Sequence, residues 1–586
     1  MLPSFRHRLW RASAAFVLSA ALRASGEGPY PIEFEGNVGV KTRDGVTLRT
    51  DVYHPKAPGK FPVIVLRTPY GKYTNLNEGI KAASRGYVFV IQDCRGREAS
   101  EGEWYPFKYE ANDGYDTVEW AAALPYANGK VGLFGGSYPG AAQMLAATSS
   151  PPHLVAFYPE ITASNYYAHW AYQGGAFMQG LAQAWCSALS MNESFRKVAG
   201  SAQISHWDLM APPVEYPLLE TALARDLAPY YRDWIAHPTY DSYWKQWSIE
   251  EHFDKIMVPG IHVAAWYDLF QDGGIRNYLG IKQHGGTEAA RKGQRLVIIP
   301  GGHAGFGTKI GEVEFGPGAK FSSWDLALRW FDWQLKGVDD GISREKPVKI
   351  FVMGENVFRD EDDWPLARAV TTRYHLHSGG KANSLQGDGA LSPEAPVAEN
   401  ADQFLSDPDN PVPTHGGATL GIPFAPPGPM DQREVEGRSD VLVYTTPAFE
   451  KPTEVTGPIS LELYVSSTAV DTDVVGKLVD VFPDGRAIDL TEGILRLRYR
   501  NSFEQPELLR PGQVYKVTVD LSATANVFLA GHKLRVEVSG SSFPRFDRNL
   551  NTDGRPETSR HGVKATNTIY HDRDHPSALI VPLVPR

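Results

Sequence analysis

The chain has 586 residues, 42% of them hydrophobic and 22% charged, which predicts about two to four globular domains with ordinary buried cores. Its 56 glycines and 43 prolines are too few for a disordered or collagen-like chain. The net charge of −10 comes with no basic stripe, so nucleic acid is not an expected partner.

The N-terminus carries the pattern of a secretory signal peptide. Three arginines within residues 1–11 precede an uncharged apolar stretch over residues 12–22, and small residues follow at 24–26. The stretch is shorter than the ~20 residues that span a bilayer, so no membrane anchor is expected. We predict a signal peptide over residues 1–26 and an exported protein, periplasmic or extracellular; a basic leader without export is the alternative.

After a hairpin turn at Asp44-Gly45, the chain up to about residue 352 is marked by short, continuous apolar runs. Six runs of strand length cover residues 63–66, 87–91, 131–134, 260–264, 296–299 and 348–352. Runs that are apolar on both faces are typical of a mostly parallel sheet. Helical spacing of apolar residues appears between several of them, over 113–123 and 324–335. We therefore predict a doubly wound α/β domain formed by residues 27–163 and 257–370.

The interval 164–256 does not fit this alternation. It has no clear buried strand and is crowded with tyrosines and six tryptophans, which are Trp170, Trp185, Trp207, Trp234, Trp244 and Trp247. We predict an inserted, mainly helical cap. Its aromatic residues are expected to form the core of the cap, and some of them to line a site beneath it.

From about residue 371 the apolar residues alternate with polar ones. The alternation covers residues 459–465, 495–499, 517–521 and 534–538, with turn sequences such as Pro483-Asp484-Gly485 between them. This pattern predicts an antiparallel sandwich or jelly roll over residues 371–586. Because no long linker precedes it, we expect it to pack directly on the α/β domain.

The sequence Gly135-Gly-Ser137-Tyr138-Pro139-Gly140 follows one of the buried runs. A nucleophilic serine on a tight strand-to-helix turn needs small neighbours of this kind. The usual motif has glycine two residues after the serine, where this chain has Pro139. A glycine-rich turn with a capping serine is therefore the alternative to a nucleophile at Ser137.

A serine nucleophile needs a histidine base and a carboxylate that orients the imidazole, in the chain order Ser, acid, His for this type of sheet. Asp268 and His303 each come just after a predicted parallel strand, where open α/β sheets collect their sites. Asp272 is an alternative acid. His262 lies inside a strand and His284 in a helix-to-loop stretch, so both are weaker candidates for the base.

Two donors are expected to stabilise an oxyanion. The first is the backbone N–H of Tyr138, the residue after the serine. The second is the phenol of Tyr70, in the loop after residues 63–66. A packed loop tyrosine without a catalytic role is the alternative for Tyr70.

These residues resemble the CocE/NonD hydrolases, the group of bacterial cocaine esterase and α-amino acid ester hydrolases, which is related to the X-prolyl dipeptidyl aminopeptidases. The resemblance covers nearly the whole mature chain. It is carried by six ordered motifs and a seventh in the cap, namely Arg67-Thr-Pro-Tyr70, Gln92-Asp-Cys-Arg-Gly-Arg97 with Ser100-Glu-Gly102, Asp113-Gly-Tyr-Asp116 with Glu119-Trp120, Gly135 to Gly140, Trp266-Tyr-Asp268, Gly302-His303, and His237-Pro238 with Asp241 and Tyr243-Trp244.

The resemblance implies an α/β-hydrolase core with a helical cap and a C-terminal jelly roll. It also implies that Ser137 is the nucleophile, Asp268 the orienting acid, His303 the base and Tyr70 an oxyanion donor. Phe270 aligns with an aromatic residue of the acyl pocket, and Trp170 is its counterpart in the cap.

The sequence departs from the family in two places. Gly301-Gly302 stand where a Gly-Pro-Trp stretch commonly precedes the histidine, and Leu269 to Gln271 stand where the amino acid ester hydrolases carry carboxylates. We therefore expect hydrolysis of a small-molecule ester or amide, with a β-lactam or amino acid ester acylase as a less favoured alternative. An X-Pro dipeptidyl aminopeptidase is the first alternative, and a carbohydrate-binding protein with a degenerate hydrolase domain is the second.

Neither a cofactor nor a metal ion is expected. Cys94 and Cys186 are too few for a four-cysteine zinc site or a disulfide scaffold; we expect buried thiols, with a single disulfide left open. Asp471-Thr-Asp473 is typical of a turn, with calcium binding as the less favoured alternative. A homo-oligomer is compatible with the sequence.

Overall fold

The computed structural model describes residues 29–190, 218–221, 223–303, 305–421 and 426–586. The proposed signal peptide and Trp207 lie outside these residues. The first part of the chain contains ten strands that form one sheet, which we label β1 (Ile32–Lys41), β2 (Thr47–Pro55), β3 (Phe61–Thr68), β4 (Val88–Asp93), β5 (Ala127–Gly136), β6 (Leu154–Glu160), β7 (Gly260–Tyr267), β8 (Gln294–Gly302), β9 (Val348–Val352) and β10 (Val357–Glu361).

This sheet has the strand order β1-β2-β4-β3-β5-β6-β7-β8-β9-β10. The seven strands from β4 to β9 in this order are parallel, and β1, β2 and β10 are antiparallel to their neighbours. All six apolar runs lie in the parallel strands. The prediction missed β6, because Pro159 and Glu160 end this strand with residues typical of a loop.

Helices accompany the strands of this first part. They are α1 (Leu76–Ser84), α2 (Glu110–Ala122), α3 (Tyr138–Thr148), α4 (Gln179–Ser190), α5 (Pro229–Ala236), α6 (Ser242–Lys245), α7 (Gln271–His284), α8 (Glu288–Lys292) and α9 (Ser323–Phe331). The helix predicted over 324–335 is shorter than expected, because a wider turn over Asp332–Lys336 continues from α9 and ends at Gly337, whose φ is 74°.

The described residues between β6 and β7 form mainly short helices and one small hairpin of Tyr172–Gln173 with Ala176–Phe177. Trp170, Trp234 and Trp244 are fully buried there. They pack in the same apolar cluster as Val63 of β3 and side chains of β5, so the aromatic residues of this segment are continuous with the core beneath them.

The last part of the chain forms a second sheet of eleven strands. They are β11 (Val370–His377), β12 (Ala390–Ser392), β13 (Asp402–Ser406), β14 (Leu442–Thr445), β15 (Thr453–Ser467), β16 (Asp473–Val481), β17 (Ala487–Arg496), β18 (Tyr515–Phe528), β19 (Lys533–Ser539), β20 (Ala565–Tyr570) and β21 (Ala578–Val584). The order is β13-β20-β15-β21-β11-β12-β14-β19-β16-β17, with β18 also paired to β15. A four-residue helix, α10 (Arg433–Glu436), precedes β14.

The second sheet curves so that its two halves face each other. A side chain at Gly476 of β16 would meet Leu461 of β15 at 2.8 Å and Leu521 of β18 at 2.9 Å. The apolar side chains of these strands form one shared core. The strand predicted over 495–499 is wrong at its end, because residues Leu497–Tyr499 form a 3-10 turn that Asp471 holds through the backbone and side chain of Arg498.

The two sheets are in direct contact. The Met353 N–H donates to Ala525 O at 2.9 Å, and the Val527 N–H donates to Met353 O at 2.9 Å. Trp266 and Tyr267 of β7 belong to the same apolar core as the second sheet. A mixed α/β part and an all-strand part therefore make up the described chain, which confirms the predicted fold class. None of the helices in the described ranges is long and apolar enough to cross a membrane.

Candidate active site

Ser137 stands on a tight turn between β5 and α3. Its φ of 58° and ψ of −124° are rare for a residue with a side chain. A Cβ at Gly135 would lie 2.6 Å from Cβ of Pro139, and one at Gly140 would lie 2.8 Å from Cβ of Thr162. Glycine is therefore needed at 135 and 140, whereas proline fits at 139 because it lies in the first turn of the helix.

Histidine and aspartate from the two neighbouring strands β7 and β8 reach this serine. Nε2 of His303 lies 3.0 Å from Oγ of Ser137, and Nδ1 of His303 lies 2.7 Å from Oδ2 of Asp268. The other carboxylate oxygen of Asp268 accepts the Phe270 N–H at 2.6 Å. A carboxylate can only accept, so it holds the hydrogen on Nδ1 and leaves Nε2 free to accept the serine proton.

The alternative residues lie elsewhere. Asp272 accepts the hydroxyl of Ser522 at 2.8 Å and does not contact the imidazole. His262 is buried within β7 beside Gln294, and burial lowers its pKa to about 4. His284 is the last residue of α7. The structure thus selects Asp268 and His303 as the partners of Ser137.

Tyr70 is half-buried beside the serine. Burial raises the pKa of its phenol, and hydrogen bonds with Trp185 and Ser137 counter this only in part, so the phenol carries its proton. Nε1 of Trp185, in α4, donates to the Tyr70 oxygen at 3.0 Å. The phenol hydrogen is therefore directed away from Trp185. Sequence reasoning missed this role of Trp185, since it was one of several tryptophans in an aromatic-rich segment.

The Tyr138 N–H is the first of α3, where backbone N–H groups have no partner within the helix. Its side chain is buried, and the phenol accepts the Phe107 N–H at 2.8 Å and donates to Glu110 at 3.0 Å. Glu110 also pairs with buried Arg67, whose Nε donates to Gln92 at 2.8 Å. Several residues of the sequence motifs thus form a buried polar network behind the turn. The spacing of the motifs along the chain did not predict this role.

A buried carboxyl also lies next to the turn. The Ser137 N–H donates to the backbone oxygen of Glu160 at 3.0 Å. Burial raises the pKa of the Glu160 side chain to about 8, so this carboxyl is mostly neutral at pH 7. Glu160 therefore adds little negative charge next to the serine turn.

An aromatic wall stands beside the imidazole. Phe270 meets the His303 ring edge to face at 5.2 Å between centroids, and Trp170 stacks on Phe270 at 4.5 Å. Trp185 lies edge-on to Trp170 at 5.4 Å. The structure thus brings together all the residues that the sequence suggested for this site.

The other candidates for chemistry are structural. Cys94 and Cys186 are free, buried thiols, and burial raises the pKa of both. Asp471 pairs with Arg498, and Asp473 pairs with Arg496, so both carboxylates already have a cationic partner within the protein. Among the described residues, no group of three or more histidine, cysteine or acidic side chains could hold a metal ion.

Known proteins share this architecture. The X-Pro dipeptidyl-peptidase family S15 matches residues 44–305, and the X-Pro dipeptidyl-peptidase C-terminal non-catalytic domain matches residues 340–580. In solved structures, an aminopeptidase from the marine sediment archaeon Thaumarchaeota archaeon is 24% identical, with a TM-score of 0.78 over 95% of this chain and 97% of that one. An α-amino acid ester hydrolase is also 24% identical, with a TM-score of 0.74 and the same coverage, 95% and 97%.

These two structures show a shared fold. Sequence similarity goes further, because cocaine esterase from Rhodococcus sp. (strain MB1 Bresler) is 37% identical over 96% of this chain and 100% of its own length. Together with the two matching regions, this similarity shows that the chain belongs to the CocE/NonD family of serine hydrolases.

Proposed function

We propose that this protein is an esterase that cleaves carboxylic esters through an acyl-enzyme on Ser137. The observation that carries the proposal is the continuous chain of contacts from Ser137 to His303 at 3.0 Å and from His303 to Asp268 at 2.7 Å. A serine hydroxyl is a weak nucleophile at neutral pH and needs such a base. The proposed oxyanion donors are the phenol of Tyr70 and the N–H of Tyr138.

In the first step His303 takes the proton of Ser137 while the serine oxygen attacks the ester carbonyl carbon. The carbonyl oxygen becomes an oxyanion, to which Tyr70 and the Tyr138 N–H donate. When the intermediate collapses, the bond to the alcohol breaks and His303 returns its proton to the leaving oxygen. Water then attacks the acyl-enzyme by the same route, and the acid is released.

Support for an uncharged acyl group comes from the surroundings of the imidazole. Phe270 and Trp170 form an apolar wall there, and we propose that they line the acyl pocket. None of the three residues that directly follow Asp268, namely Leu269, Phe270 and Gln271, is a carboxylate that could bind a substrate ammonium. The ester preference also agrees with the similarity to cocaine esterase. X-Pro dipeptide cleavage is the second candidate, because the family match is to X-Pro dipeptidyl-peptidases.

We propose the following division of the chain. Residues 27–163 and 257–370 form the hydrolase core, 164–256 the cap and 371–586 a jelly-roll domain that packs on the core. The second sheet, which is antiparallel except for the pair β12 and β14 and faces itself across a shared apolar core, supports the jelly roll. The basic and apolar pattern of residues 1–26 supports a signal peptide and export to the periplasm or the medium.

The test compares two substrates on one protein preparation. Release of p-nitrophenol from short p-nitrophenyl esters is measured beside release of p-nitroaniline from Gly-Pro-p-nitroanilide, with Ser137→Ala as the control. Ester turnover that disappears in Ser137→Ala is the expected result. Faster cleavage of the anilide would assign the protein to the peptidase branch, and no turnover of either substrate would refute the proposal.

A further inference from the structure

A cavity of about 360 Å³ lies where the two sheets meet, apart from the serine. Tyr267 of β7 and Met353 at the end of β9 line it from the first sheet, and strands β16 and β17 line it from the second. The backbone hydrogen bonds from Met353 to residues 525 and 527 join the two sheets at this place. The walls are therefore regular elements held in register, which makes the cavity a preformed feature of the fold.

Most of the cavity wall is apolar. Phe315, Met353, Ile488 and Leu490 line it and are each buried, and Phe482 and Leu529 contribute further apolar surface. An apolar cavity of this size with a few polar groups is the usual form of a small-molecule site. The body of a ligand would be a ring or a short hydrocarbon.

One end of the cavity is polar and built around His532. Nδ1 of His532 lies 2.8 Å from Oδ1 of Asp480, and the Asn526 amide donates to the other oxygen of Asp480 at 3.1 Å. His532 is only 6% exposed. The carboxylate holds the hydrogen on Nδ1, so Nε2 is an acceptor. Among the described residues, Nε2 has no hydrogen-bond partner.

A second hydrogen-bond acceptor and the charges at the rim further restrict the kind of ligand that the cavity can bind. Oδ1 of Asn356, another lining residue, is buried and has no hydrogen-bond partner within the described chain. A buried acceptor of this kind is costly unless a donor meets it. Three charged side chains, Glu312, Glu314 and Arg486, also line the cavity. Arg486 already donates to Asp484 at 2.9 Å, so the unpaired charge at the rim is that of the two glutamates, which disfavours an anion. The groups present thus select a neutral ligand that donates hydrogen bonds.

We propose that this cavity binds a small, uncharged aromatic molecule with a hydroxyl group. The hydroxyl donates to Nε2 of His532, and the ring lies among Phe315, Met353 and Leu490. The site adjoins the backbone that carries Asp268, since Tyr267 is a wall of the cavity. Binding needs no chemistry at Ser137, so it stands or falls independently of the proposed esterase function.

The experiment titrates the full chain with 4-fluorophenol and follows the fluorine resonance by NMR. The matched ligand is 4-fluorotoluene, which has the same ring but no donor. We expect 4-fluorophenol to bind at least about tenfold more tightly, the effect of one buried hydrogen bond. Equal affinity for both ligands, or no binding of 4-fluorophenol at concentrations up to about 10 mM, would overturn the proposal.

Variants locate the binding. Leu529→Trp fills the cavity from a position that is 38% exposed, and Leu508→Trp is the control because Leu508 is 44% exposed and does not line the cavity. The first variant should abolish binding of 4-fluorophenol and the second should keep it. Val313→Trp, on the other rim, serves the same purpose if Leu529→Trp fails to fold. Unchanged binding in a folded cavity-filling variant would place the ligand elsewhere and refute the site.

Discussion

Besides Ser164 with His169 and Glu250, two regions of the described chain bring a serine, a histidine and a carboxylate together. One is the cluster of Ser137, His303 and Asp268 at the edge of the first sheet, with contacts of 3.0 and 2.7 Å. The other lies in the second sheet region, where Nε2 of His571 is 3.3 Å from Oγ of Ser378 and Nδ1 is 3.2 Å from Glu399. Residue types and order of contacts are alike in the two clusters.

The two clusters differ in the group that Nε2 of the imidazole contacts. In the second cluster Asp402 accepts both the Ser378 hydroxyl at 2.6 Å and Nε2 of His571 at 2.8 Å. Burial opposes the charge of His571, but the contacts with Asp402 and Glu399 outweigh burial and raise its pKa. A carboxylate oxygen lies against each nitrogen of the ring, so neither nitrogen is free to accept a serine proton. A serine with a nearby histidine becomes a nucleophile only where Nε2 is kept free to accept.

The largest expected effect is the loss of kcat when Ser137, but not Ser378, is replaced by alanine. Ser137→Ala should lower kcat for p-nitrophenyl ester hydrolysis by about 10⁶ and leave a residual acceleration of about 10³–10⁴ over water from binding and the oxyanion donors. Ser378→Ala, the matched control, should keep kcat within a factor of about two, because Ser378 has no free base. Steady-state kinetics on both variants measures this difference. Comparable losses of kcat in the two variants would show that the two serines do not differ in their role.

The second effect concerns the donors that only the first cluster has. Tyr70→Phe should lower kcat by about 10²–10³ with little change in KM, because the lost hydrogen bond strengthens as the oxyanion forms. Tyr278→Phe is the control, since the Tyr278 phenol contacts Asp363. Kinetics at substrate concentrations around KM separates kcat from KM. A change confined to KM would assign Tyr70 to substrate binding.

The region around Ser137 was the more predictable of the two. Parallel strands end at one edge of a sheet, so residues just after β5, β7 and β8 were expected to meet, and Ser137, Asp268 and His303 do lie in contact. Apolar runs predicted these strands because both their faces are buried.

Contacts between segments far apart in sequence were not predictable. Trp185 and Tyr70 meet only because the segment between β6 and β7 folds over the loop after β3. The hydrogen bond from Tyr138 to Glu110 likewise depends on how α2 packs against α3. Neither contact leaves a periodic pattern in the chain, and the same holds for the turn at 497–499, which an ion pair with Asp471 fixes.

A smaller effect tests whether the segment over the site positions Tyr70. Trp185→Phe removes the donor to the Tyr70 oxygen and keeps an aromatic ring, so kcat should fall about tenfold or less. In the Tyr70→Phe background the same change should have no further effect on kcat, because its partner is gone. The values of kcat for the native chain, the two single variants and the double variant give a double-mutant cycle. Additive losses would show that Trp185 acts independently of Tyr70.

The smallest effect concerns stability and belongs to the second cluster. Because its partners raise the pKa of His571, the folded state binds the proton more tightly than the unfolded state. This contribution is complete below the unfolded pKa of about 6.5 and is lost as the pH rises through the folded value. His571→Gln keeps a donor for Asp402 but cannot titrate.

The free energy of unfolding in urea should therefore fall more steeply in the native chain than in His571→Gln as the pH rises above about 6.5. His284→Gln, at the exposed end of α7, is the control and should follow the native curve. Parallel curves for the native chain and His571→Gln would mean that His571 is not held in its charged form. In that case, His571 would fail to act as a base only because the Ser378 hydroxyl donates to Asp402 instead.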